Sequence, residues 1–65
     1  MSEWVLASDI GGTFTDIVLA GPDGGWTSVK QLTTPEAPER SVVEGTRLAL
    51  TQAGISPEQV VRVVH

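Results

Sequence analysis

The chain has no cysteine and no tyrosine, a single histidine (His65), a single phenylalanine and only four basic residues. Without cysteine there is no disulfide and no thiolate zinc site. One histidine cannot build a metal centre by itself. The four bases stand against eight acids, giving a formal net charge of −4 and a pI near 4.5. No lysine or arginine precedes Lys30. That balance excludes a nucleic-acid backbone as the expected partner. The longest apolar runs are Trp4–Ala7 and Ile17–Ala20, far short of a membrane span. The N-terminus carries Glu3 and Trp4 where a secretory leader would carry bases, so a cytoplasmic location is expected.

Size is also scarce. A 65-residue chain buries only about 60% of the surface its unfolded form exposes. Stability without staples is marginal at that size. A free-standing enzyme with its own cleft is therefore not expected. The chain reads either as a small module or as one piece of a larger protein. Hydrophobic residues make up 40% and charged residues 18%, a globular composition.

What is present organises into short elements. Trp4 to Ile10 reads as a strand, bounded by Gly11-Gly12, which permit positive φ and a tight turn. Phe14 to Ala20 reads as a second strand, and its apolar run Ile17-Val18-Leu19-Ala20 predicts cover on both faces. Gly21-Pro22-Asp23-Gly24-Gly25 is the strongest turn signal. Trp26 to Leu32 is a third strand, completing an antiparallel meander. Thr33 to Pro38 is a connector.

A helix is predicted from about Pro38 to Ala53, with the stripe Val42, Val43, Thr46, Ala49, Leu50 and Ala53. Arg40–Glu44 and Glu44–Arg47 have pairing distance on its outer face. Two starts are open: Pro38 at the first helical position, or a capping box at Ser41-Val42-Val43-Glu44. Gly45 inside the helix implies close packing there, and Gly54 ends it. Ser56-Pro57-Glu58-Gln59 opens a further helical turn, and Val60 to Val64 reads as a fourth strand with a buried character. The fold class is α/β, more narrowly an α+β fragment: three-strand meander, helix, fourth strand.

The segment Asp9-Ile10-Gly11-Gly12-Thr13-Phe14-Thr15-Asp16 carries the chemistry. Two glycines let a backbone approach a phosphate closely. Thr13 and Thr15 bring hydroxyl donors. Asp9 closes the first strand where a carboxylate can hold Mg²⁺ or its waters, and Asp16 adds a second carboxylate. Two acids flanking a phosphate loop need a bridging cation. No lysine follows the glycines and no helix opens after them, so the segment is neither a Walker loop nor a Rossmann fingerprint. Its residue-level rival is a plain glycine hairpin with solvated carboxylates.

These residues resemble the first phosphate loop of the actin/hexokinase/Hsp70 superfamily. More closely, they resemble the N-terminal opening of the hydantoinase A/5-oxoprolinase family. The Phe14-Thr15-Asp16 continuation, the glycine hairpin, Lys30 with Thr33-Thr34-Pro35, and the helix all fit that opening. The resemblance spans residues 1–65 as the start of an actin-like ATPase domain, and implies that further chain follows His65. It implies that Gly11, Gly12 and Thr13 contact the β- and γ-phosphates of ATP. It implies that Asp9 holds Mg²⁺, and that Thr15 and Asp16 support the loop or the metal. The implied reaction is ATP-dependent opening of a cyclic amide of hydantoin or 5-oxoproline type. The implied partners are that small-molecule substrate and a second subunit or the rest of the chain.

Three alternatives remain at this level: an ATP-dependent ketone carboxylase subunit of the same family, a sugar-kinase-like protein, and a small non-catalytic module. Phe14 and Asp16 speak against the sugar kinases. His65 reads as a strand-end residue rather than a catalytic one. Trp4 and Trp26 read as cover for a sheet edge rather than ligand-stacking groups.

Overall fold

The computed structural model describes residues 3–64. Three strands come first: β1 (Trp4–Ile10), β2 (Phe14–Ala20) and β3 (Trp26–Leu32). Helix α1 (Pro38–Ala53) follows, then a 3-10 turn (Pro57–Gln59) and β4 (Val60–Val64). The sheet order is β3-β2-β1-β4. The meander is antiparallel as expected, whereas β4 joins β1 in parallel and makes the sheet mixed. Helix α1 is the crossover that lets β4 run parallel to β3 and β1.

One face of the meander makes the core. Leu6, Ile17, Leu19 and Ala49 are buried, with Trp4, Val29, Val42, Leu50, Ala53, Ile55 and Val60 packed around them. Burying a side chain such as Ile17 or Leu19 stabilises by about 1.5–3 kcal/mol. The other face of β2 is not covered as its apolar run suggested. Val18 is half-buried and Ala20 exposed, because the only layer over the described sheet lies on the Ile17 side. Among the described residues β4 is mostly exposed, with Val61, Val63 and Val64 open to solvent. Helix α1 packs on β2 and β3 and barely reaches β1. Trp4 lies against Gly21, while Trp26 is 68% exposed. His65 lies outside the described residues.

The helix start resolves in favour of Pro38. Ala37 is the N-cap and offers no side-chain bond. Ser41 is no cap; it is buried inside the first turns, with its hydroxyl donating to the Pro38 carbonyl at 2.6 Å. The expected stripe holds at Ala49, which is buried, and at Val42, Leu50 and Ala53, which pack against the core, but Val43 faces solvent. The fully covered line of the helix runs through Ser41, Gly45 and Ala49. Small side chains at four-residue spacing bring the helix close to the sheet. A Cβ on Gly45 would stand 2.7 Å from Ile17 Cγ1. The helix closes on Gly54, whose φ of +70° suits glycine, with the Ile55 N–H on the Leu50 carbonyl at 3.1 Å. The expected Arg40–Glu44–Arg47 pairs do not form; among the described residues the ion pair is Lys30–Asp16. Glu44 instead accepts a long bond from Gln31 Nε2 at 3.5 Å.

Candidate functional site

The glycine-rich turn joins β1 to β2. Ile10 and Thr15 form the last strand pair, and the Gly11 N–H closes the turn on the Phe14 carbonyl at 2.9 Å. Positive φ is not what the turn asks of its glycines, since among the described residues only Gly24 and Gly54 adopt it. The requirement at Gly11 is room. A Cβ there would stand 2.9 Å from the Phe14 carbonyl oxygen. Gly12 has nothing within 4 Å of the place its Cβ would take. A ligand can therefore approach the backbone at Gly12 without meeting protein. Among the described residues the Gly12 and Thr13 N–H groups find no protein acceptor.

The expected site residues fall into two groups. Asp9 and Asp16 are direct cross-strand partners, and Lys30 is the partner of Asp16 on the next strand. Strand alternation puts this row on the sheet face away from α1. Lys30 Nζ bonds Asp16 Oδ1 at 2.8 Å and stands 5.2 Å from the Phe14 ring centroid. Both side chains are about half exposed, so the pair contributes at most about 1 kcal/mol. Like charges directly opposite repel. Lys30 offsets the pair at Asp16 and leaves Asp9 exposed at the end of β1.

Thr15 goes to the other face. It is fully buried, and its Oγ1 lies 2.8 Å from both Thr33 Oγ1 and Ser41 Oγ. Thr13, by contrast, is exposed at the turn. The Thr33 hydroxyl donates to the Gly11 carbonyl at 2.9 Å, and the Thr33 N–H donates to the Thr13 carbonyl at 2.8 Å. Lys30, Thr33 and Ser41 were not singled out from the sequence as part of this site. Lys30 could have been found by counting back through the Gly21–Gly25 hairpin, which pairs Ala20 with Trp26 and therefore Asp16 with Lys30.

The donor set suits a phosphate with a divalent cation. An open glycine backbone lies beside two carboxylates and one ammonium group, and Mg²⁺ takes oxygen ligands while keeping several waters. Among the described residues no cluster of three or more metal-ligating side chains forms, and no cavity encloses the turn. No described helix is long and apolar enough to cross a membrane.

Residues 5–65 match the family described as the hydantoinase/oxoprolinase N-terminal region. No curated protein and no solved structure matches the chain significantly. The match takes in β1, the glycine turn, α1 and β4 without a break, and on it the chain belongs to the hydantoinase/oxoprolinase family, within its N-terminal region.

Proposed function

We propose that this chain supplies one wall of the nucleotide site of an ATP-dependent hydrolase that opens cyclic amides of hydantoin or 5-oxoproline type. It does so as the beginning of an actin-like ATPase domain in a cytoplasmic enzyme. The observation that carries the reading is the open backbone at Gly12, set beside the Asp9–Asp16 carboxylate pair. In this reading the Gly12 and Thr13 N–H groups and the Thr13 hydroxyl hold the phosphates, while Gly11, whose N–H is taken by the Phe14 carbonyl, shapes the turn. Asp9 holds Mg²⁺ through water. Asp16 supports that charge from the neighbouring strand, and Thr15 supports the turn from beneath through Thr33. ATP would supply a phosphoryl group to the amide oxygen, which activates the ring carbonyl carbon toward water. The chain's own contribution is electrostatic, since fixed donors stabilise charge without reorganising.

The test is Asp9→Ala in the intact protein, assayed with hydantoin and 5-oxoproline in the presence of Mg·ATP. The expected result is loss of ATP-dependent turnover with the fold retained by circular dichroism. Unchanged ATP-dependent turnover would remove the metal role of Asp9. ATP- and bicarbonate-dependent consumption of a ketone, with no cyclic amide opened, would move the protein to the carboxylase branch.

A further inference from the structure

We infer that Thr33 is a positioning residue that sets the orientation of the Gly11–Gly12 peptide in the phosphate loop; the inference rests on the nucleotide reading above. A trans peptide is planar, so its C=O and N–H point in opposite directions. The Thr33 hydroxyl holds the Gly11 carbonyl at 2.9 Å. The N–H of the same peptide belongs to Gly12, and it must therefore face away from Thr33. The Thr33 N–H holds the Thr13 carbonyl at 2.8 Å, which fixes the next peptide but one in the same manner. One residue of the connector thus orients two peptides of the turn.

Sterics do not do this work at Gly12. Nothing lies within 4 Å of its Cβ position, and a Gly-Gly peptide rotates readily. The hydrogen bond is what selects one plane. Thr33 is itself anchored from below. Its Oγ1 lies 2.8 Å from Thr15 Oγ1, which lies 2.8 Å from Ser41 Oγ, which donates to the Pro38 carbonyl. Thr15 thereby stands between the first turn of α1 and the loop between β1 and β2, and its single hydroxyl proton serves Thr33 or Ser41 in turn. Thr15 and Ser41 are fully buried, which shields the contact between them from competing water, whereas the Thr33–Gly11 bond at the top of this hydroxyl relay is exposed.

The test pairs Thr33→Val with Thr33→Ser. Valine keeps the shape and the backbone N–H but removes the hydroxyl; serine restores it. NMR relaxation dispersion at the Gly12 amide reads the peptide orientation without any ligand. Steady-state kinetics of the intact protein with Mg·ATP read its consequence. In Thr33→Val, exchange broadening should appear at Gly12, and KM for Mg·ATP should rise about fivefold, the effect of one ordinary hydrogen bond. kcat should change less, and Thr33→Ser should restore both signals. A Gly12 amide that is as still in Thr33→Val as in the native protein overturns the inference. A Gly12 amide that broadens in a protein whose native form ignores Mg·ATP overturns the nucleotide reading and still supports Thr33 as the residue that orients the peptide. Lost folding in Thr33→Val, seen by circular dichroism, would show that the hydroxyl holds the fold rather than the loop, and would also overturn the inference.

Discussion

Asp9 on β1 stands directly opposite Asp16 on β2, and among the described residues only Asp16 has a cationic partner, Lys30. The two carboxylates are therefore not equivalent. Asp9→Asn removes the repulsion and breaks no ion pair. It should stabilise the protein by a few tenths of a kcal/mol up to about 1 kcal/mol in the absence of divalent cations. Asp16→Asn should do less, because it also loses the Lys30 bond. Urea midpoints at low ionic strength check both, and added salt should shrink the difference.

Gly45 is a glycine that helix propensity would replace. Alanine gains up to about 1 kcal/mol in a helix interior. Its Cβ, however, would lie 2.7 Å from Cγ1 of the fully buried Ile17, next to the branch point rather than the tip of that side chain. Overpacking of this kind costs about 1–3 kcal/mol. Gly45→Ala should therefore destabilise the protein in denaturant titration, against the sign that propensity gives.

Thr15, Thr33 and Ser41 bring three hydroxyl protons to four short contacts. The relay is one proton short, so one O···O contact always lacks a bonding hydrogen. Thr15→Val deletes one proton and two contacts. Ser41 keeps Pro38 and Thr33 keeps Gly11, each with a donor to match its acceptor. The expected cost is about 1 kcal/mol, the ordinary value of a hydrogen bond rather than that of an orphaned buried group. Nucleotide kinetics should be nearly unchanged, which distinguishes Thr15 as a support from Thr15 as a phosphate contact.

Glu58 lies below the ordinary carboxyl value of 4.5, chiefly through the Ser56 hydroxyl and then through its own backbone N–H. A depressed pKa in the folded state means that the unfolded chain takes up protons first. The contribution is present above pH 4.5 and is lost as the pH falls through the lower, folded value. In Ser56→Ala the Glu58 titration, followed by NMR, should return toward 4.5.

The strands were legible because each is apolar or alternating and is punctuated by Gly11-Gly12 or by Gly21–Gly25. The glycine turn was legible as a turn for the same reason. Ser41 was not, since Ser-x-x-Glu is a helix-start pattern and nothing local says that the serine is buried. Its partner Thr15 lies 26 positions away. The stripe was misread at Val43 because hydrophobicity was sought where close approach selects small residues: Ser41, Gly45 and Ala49. The parallel seat of β4 on β1 is set by the path of α1 over the sheet, a tertiary property that periodicity does not carry.

That parallel seat also sets an order of assembly. Trp4 pairs with Val60, almost the whole chain apart, while β1, β2 and β3 are joined by turns of a few residues. Pairings that are distant in sequence must close a large loop before they gain any contact energy. The hairpins, the glycine turn and the hydroxyl relay are complete once Ser41 is in place. The glycine turn should thus mature early, and β4 should be the last strand to dock and the first to leave on unfolding. Amide exchange should accordingly be faster along β4 than at Ile17 and Leu19.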